Sequence, residues 1–157
     1  MRRSAFATLA AGAVLAAACA AGGIRPAYEP LPDARVDTIN ALPADVIQEA
    51  VVRVNAENMR GAWESAAEGY FETQWFNVVT QESGKSDVGN LDRIILLRFF
   101  ADPVEGGKTK LTTEANYQRT ADPSVAPRDR EMSVPVGHAG DRLRGRVLDG
   151  IKERFGK

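Results

Sequence analysis

Residues 91–101 place Ile94, Ile95, Leu96 and Leu97 in succession, followed by Phe99 and Phe100. A run that is apolar on both alternations leaves no side for solvent, so it predicts a central strand covered on both faces. Asp102-Pro103-Val104-Glu105-Gly106-Gly107 interrupts it as a hairpin loop. Beyond the loop the chain alternates. Thr109, Leu111, Thr113, Ala115 and Tyr117 take one side, and Lys108, Lys110, Thr112, Glu114, Asn116 and Gln118 the other. This is the pattern of a half-buried antiparallel strand. A third strand is predicted over residues 70–79, with Phe71, Thr73, Trp75, Asn77 and Val79 on one face and Tyr70, Glu72, Gln74, Phe76 and Val78 on the other. A short fourth, over residues 62–66, would bury Trp63.

Helical spacing brackets these strands. Over residues 43–59, Val46, Ile47, Ala50, Val51 and Val54 form one apolar face. Pro43 suits a first turn, where its missing N–H is no loss. Asp45 complements the positive helix end, and Gly61 is the expected stop. Over residues 139–155, Leu143, Val147, Leu148, Ile151 and Phe155 form a second stripe, in which Gly145 and Gly150 mark close approach to the sheet. The predicted class is α+β: an antiparallel sheet of three or four strands in a meander, covered on one face by an N-terminal and a C-terminal helix.

Two segments fit neither period. Residues 20–42 contain Pro26, Pro30 and Pro32 and read as an exposed, flexible linker. As a coil they would span roughly 25 Å on average. Residues 120–137 contain Pro123, Pro127 and Pro135 around Arg128-Asp129-Arg130-Glu131, and read as a mobile loop with solvated charges.

The first residues carry an address. Arg2 and Arg3 precede a stretch to Ala18 that is apolar or small apart from Ser4, Thr8 and Gly12, and Cys19 follows. A charged start, an apolar centre and a small-residue site read as a secretory signal. The apolar run is shorter than the roughly 20 residues a bilayer span requires. Leu15-Ala16-Ala17-Ala18-Cys19 resembles a bacterial lipobox, with Leu15 one position further from the cysteine than is usual and Ala16 in its place. The resemblance implies cleavage before Cys19 and attachment of lipid, palmitate included, to it. The alternative is an ordinary signal peptide in which Cys19 is incidental. Against that, Cys19 is the single cysteine, so no intrachain disulfide can use it, and the small residues Ala20 to Gly23 suit a tether. The predicted division is 1–18 signal peptide, 19–42 lipidated cysteine and linker, and 43–157 a single domain.

Charge and motif narrow the function. The chain carries 20 basic and 21 acidic residues; without Arg2 and Arg3 the balance is 18 to 21, and no basic-aromatic stripe occurs. Nucleic acid is therefore an unexpected partner. His138 is the single histidine, which excludes a His-rich metal site, and it reads as structural or exposed. The serines lack a nucleophile-elbow context, Gly106-Gly107 joins two strands rather than opening a helix, and Asp87 and Asp92 lack metal-ligand spacing. The expectation is a non-enzyme without cofactor or metal. Trp63, Tyr70, Trp75 and Phe76 are the candidate partner- or ligand-binding residues, with an aromatic core as the alternative role.

Gly69-Tyr70-Phe71-Glu72-Thr73-Gln74-Trp75 reads as Gly-x-apolar-x-Thr-x-Trp, after a helix and a Trp63 segment and before a strand led by Arg93. With the lipoprotein-like start, this resembles the helix-grip domains of the C-subunit lipoprotein (BamC) of the outer-membrane β-barrel assembly machine. The resemblance covers residues 43–119 and the final helix; that family has two such domains, and this chain has room for one. It implies a helix-grip fold and a non-catalytic interaction role, lipid-anchored in the envelope, with an envelope protein as partner. Ala20 in place of an aspartate after the cysteine points to the outer membrane, facing the periplasm. The alternative is a carrier holding a small apolar ligand in a helix-grip cavity.

Overall fold

The computed structural model describes residues 24–27, 29–84 and 89–156. The predicted signal peptide, Cys19 and the start of the predicted linker lie outside the described residues. So does Asp87, within the polar loop after residue 84. Two helices, α1 (Pro43–Ala56) and α2 (Ala139–Phe155), accompany β1 (Arg35–Ile39), β2 (Gly61–Ser65), β3 (Tyr70–Thr73), β4 (Phe76–Asn77), β5 (Glu82–Ser83), β6 (Ile94–Val104), β7 (Lys108–Gln118) and β8 (Glu131–Ser133). All eight strands join one antiparallel sheet, so the expected sheet of three or four strands is overturned. The main path is β1-β7-β6-β3-β2; β4 and its partner β5 extend the β3 side along β6, and β8 continues the β1 side along β7.

The added strands are short, and none carries an apolar alternation of its own. They are ordered by the long β6–β7 hairpin, whose edges offer free ladder groups to whatever chain passes. Thus residues 35–39, read as linker, pair with Thr113 to Thr109 of β7. Residues 131–133, read as mobile loop, pair with Gln118 to Asn116.

The predicted ten-residue third strand is broken, and the break changes which residues meet the core. In β3, Tyr70, Phe71 and Glu72 pair with Phe100, Phe99 and Arg98; in β4, Phe76 and Asn77 pair with Ile95 and Ile94. The second register is one residue longer than the first. An extra residue therefore lies at Gln74–Trp75, a bulge that reverses the facing of everything after it. Phe76 turns inward beside Ile95 and Phe71, although simple alternation set it opposite Phe71. The Leu97 N–H left over at the bulge is taken by Thr73 Oγ1 at 3.0 Å. Asn77 then closes the next turn, its Oδ1 accepting the N–H groups of Val79 and Thr80.

Val46, Ile47, Ala50 and Val54 of α1 and Leu143, Val147, Leu148 and Ile151 of α2 pack on Phe71, Ile95, Leu97, Phe99, Leu111 and Ala115 of the sheet. Full burial of each such side chain contributes about 1.5–3 kcal/mol. Phe71 and Phe99 stack with centroids 5.6 Å apart. α1 ends before the predicted Gly61, because Asn58 adopts φ 62° and the Met59 N–H returns to the Val54 carbonyl, the left-handed helix stop that Asn tolerates. The close approach predicted at Gly145 and Gly150 is differently placed. A Cβ on Gly150 would lie 2.8 Å from Arg53 of α1, and the residue against the sheet is Gly140, 3.0 Å from Ile95. His138 caps α2, its Nδ1 accepting the Gly140 N–H at 3.0 Å.

Candidate functional site

The side of the sheet away from the helices is also covered. Tyr70, Ile94, Leu96, Arg98, Phe100, Glu114 and Asn116 are each at most 5% exposed and lie outside the helix-side core. Two segments make this second cover. One is a strap formed by residues 25–27 and 29–34. Its Arg25 guanidinium sits 5.3 Å over the Phe100 ring and 2.6 Å from Asp102, and its Leu31 N–H donates to Glu114 Oε1 at 2.5 Å. The other is the segment from Arg128 to Glu131, whose two end side chains reach Glu114 and Arg98. The sequence pattern of β6 predicted burial on both sides; the strap and this segment are what supply it.

At the centre is a buried ion cluster. Glu72, Arg98 and Glu114 lie in one row across β3, β6 and β7, because Arg98 is the register partner of both acids. Arg98 bonds Glu72 through Nε and Glu131 through both terminal nitrogens. Arg128 reaches in from the short helical turn at Arg128–Arg130 and bonds Glu114 at 2.6 and 2.8 Å, Glu131 at 2.9 Å and the Glu29 carbonyl at 3.0 Å. Asn116 donates from Nδ2 to both Glu114 and Glu131, while its buried Oδ1 has no partner among the described residues. Three carboxylates thus share two guanidiniums.

Burial alone works against charge at Glu114. Hydrogen bonds from Arg128 and the Leu31 N–H, the Arg128 charge and Asn116 outweigh it, and hold the carboxyl below its ordinary value of 4.5. For Arg98, burial likewise opposes the charge, and the carboxylates of Glu131 and Glu72 more than restore it, raising its pKa. The acids here are spent on holding arginines. Among the described residues, no group of three or more His, Cys, Asp or Glu side chains is placed to hold a metal ion. Arg128 and Glu131, read in the sequence as solvated loop charges, are members of this cluster, and alternation along a polar loop carried no signal for it.

Beside the cluster lies an open groove of about 330 Å³ with Ile94 and Leu96 at its floor, Trp75, Gln74 and Gln118 around it, and Glu72 at the cluster side. The Gln74–Trp75 bulge makes it, by turning Trp75 to this side. Trp63 stands 44% exposed on the edge strand β2, opposite Glu72 in register and next in the chain to Ala62, another lining residue.

The four aromatic candidates therefore separate. Trp75 lines the groove, and Trp63 stands beside it on β2, opposite the lining residue Glu72. Tyr70 is fully buried, edge-on to Phe100 at 5.3 Å, with its hydroxyl donating to Glu72 at 2.7 Å. Phe76 belongs to the helix-side core. Between the helices and the sheet those core side chains pack together, and an open pocket of about 230 Å³ lies at one end of them, with Ala56, Phe76, Ala139 and Leu143 in its lining. No helix among the described residues is long and apolar enough to cross a membrane. No protein-family model matches this chain, and no curated protein matches it.

Proposed function

We propose that this chain is a lipid-anchored cell-envelope protein whose folded domain binds another envelope protein and catalyses nothing, in outer-membrane assembly or maintenance. The observation that carries the binding reading is the pair of tryptophans beside an apolar groove at the sheet margin, Trp63 exposed and Trp75 half-buried. Tryptophans beside desolvated pockets are the residues that dominate protein contacts. The lipid reading rests on the Leu15-to-Cys19 pattern, and the outer-membrane placement on Ala20. The likeness to BamC supports the same role by analogy.

Crosslinking in intact cells, followed by recovery from membranes, tests the binding reading. A defined envelope protein should be recovered, and Trp63→Ala with Trp75→Ala should reduce its yield severalfold. A chain always recovered as a lone monomer would sink the idea. Metabolic palmitate labelling of wild type and Cys19→Ser tests the anchor: label and membrane retention should vanish in the variant.

The groove volume favours one further reading, a carrier of a small apolar ligand, since about 300 Å³ is the lower end of ligand sites and the groove holds about 330 Å³. Native mass spectrometry of protein taken gently from membranes separates the two. A stoichiometric small apolar adduct, lost in Trp75→Ala, would favour the carrier.

A further inference from the structure

The segment expected to be a free tether is largely used up by the fold. Arg25 is fixed at Asp102 and Phe100, Glu29 at Arg128, and Leu31 at Glu114. A turn closed by the Ala34 N–H to the Leu31 carbonyl follows, and β1 runs back along β7 from Thr113 to Thr109. The strap thus lies along the outer face with its N-terminal end toward the β6–β7 hairpin.

Resting on the lipid anchor proposed above, we infer that this arrangement presses the hairpin end of the domain against the bilayer, and that a lipid surface is the partner of that end. Only five Cα–Cα steps lead from Cys19 to Ile24, which reach at most about 18 Å fully extended. A free linker through residue 42 would let the domain wander by roughly 25 Å on average.

What lies at that end suits a membrane surface. Ile24 is 83% exposed, Leu42 59% and Val104 40%. Leu42 belongs there because the Ala41 carbonyl accepts the hydroxyl of Thr109, which pairs with Pro103 at the hairpin. Lys108 and Lys110 are exposed on the same strand end. Of the acids there, Asp102 is held by Arg25, and Glu105 at the hairpin tip, Asp45 three residues after Leu42 and Glu68 beside the Gly69–Ala101 contact are exposed. Exposed aliphatic side chains gathered at one end match the acyl boundary of a bilayer, and Lys108 and Lys110 balance the acids beside them.

The test uses the full-length protein, purified from membranes and reconstituted in vesicles of phosphatidylethanolamine and phosphatidylglycerol. Lipid on Cys19 is verified by mass spectrometry. A donor dye is attached at Glu105→Cys, at the hairpin tip, or at Asp92→Cys, just before the other end of β6; a lipidated Cys19 has no thiol to react. The eleven residues of β6 separate the two sites by about 35 Å, so energy transfer to a headgroup acceptor should be several times greater from 105. Lys108→Cys repeats the hairpin measurement. Combining Arg25→Ala with Leu31→Pro, which removes the N–H given to Glu114, should release the strap and shrink the difference.

Equal or reversed transfer in lipidated wild type overturns the orientation while leaving the anchor standing. A difference that survives strap release overturns the strap as its cause. Protein carrying no lipid on Cys19 overturns the orientation and the anchor together.

Discussion

The two faces of this sheet are buried by opposite chemistries. On the helix side, Phe71, Ile95, Leu97, Phe99 and Leu111 meet two amphipathic helices, and the buried polar groups among them are Thr73, Thr109 and Thr113 and the Arg144–Asp141 pair of α2. On the strap side, Arg98, Glu114 and Glu131 are almost as deeply buried, and irregular chain covers them. An apolar interface tolerates many packings of about the right volume. An ion cluster is satisfied in only one, and leaving one charge unpaired is costly. The helix side therefore accounts for most of the stability, and the strap side for which segments may lie over the sheet and where.

The largest expected effect is at Arg98. Arg98→Leu would leave Glu72 and Glu131 without their main partner, at a cost of at least about 3–5 kcal/mol, read as a shift of the urea midpoint. The loss should shrink in acid, because the cluster to which Arg98 belongs is held together by charge. Phe99→Ala on the other face should cost a similar amount, about 3–5 kcal/mol, but equally at every pH. If the two variants respond alike to acid, the contrast between the faces is broken.

Glu114→Gln sharpens the contrast at smaller cost, about 1–3 kcal/mol at neutral pH from weakened charged hydrogen bonds. The sign follows from its depressed folded pKa. Stability from Glu114 is fully present above its ordinary value of 4.5 and is lost as pH falls through the lower folded value. In wild type the stability curve should therefore fall on the acid side, and in Glu114→Gln it should fall less steeply. Asp141, held low first by the Gly137 N–H and then by Arg144 against burial, contributes an acid limb of the same sign from the start of α2. The smallest effect is at Trp63, where Trp63→Ala should move the midpoint by no more than about 0.5 kcal/mol while reducing partner recovery. A large loss of stability there would make Trp63 a structural residue.

Both helices and the β6–β7 hairpin could be read in the sequence, because each carries enough apolar residues at one period to be recognised alone. Burial of β6 on both sides was legible too, in Ile94 through Leu97. What covers its second side was not. Residues 25–39 hold one strand and three prolines, and their order comes from Glu114 and the β7 edge, distant in the chain. The cluster was hidden for the same reason. Glu72, Arg98, Glu114 and Glu131 are each unremarkable among their neighbours and become a set only through register. Of the aromatic candidates, Trp63 and Trp75 lie at the groove and Tyr70 and Phe76 do not. That division depends on a bulge with neither glycine nor proline to announce it.

The bulge at Gln74–Trp75 has a consequence for how this chain can vary in length. It acts as a frameshift in facing: residues before it are read in one phase and residues after it in the other. Deleting Gln74 would leave one residue opposite Leu96 and a regular ladder, with Phe76 still beside Ile95 and Trp75 still toward the groove; deleting both Gln74 and Trp75 would set Phe76 opposite Leu96, facing the groove. The double deletion would take a phenylalanine out of the core and remove the indole wall of the groove. Loss of Gln74 alone should therefore be tolerated, whereas loss of Gln74 and Trp75 together should be far more damaging than point substitutions there.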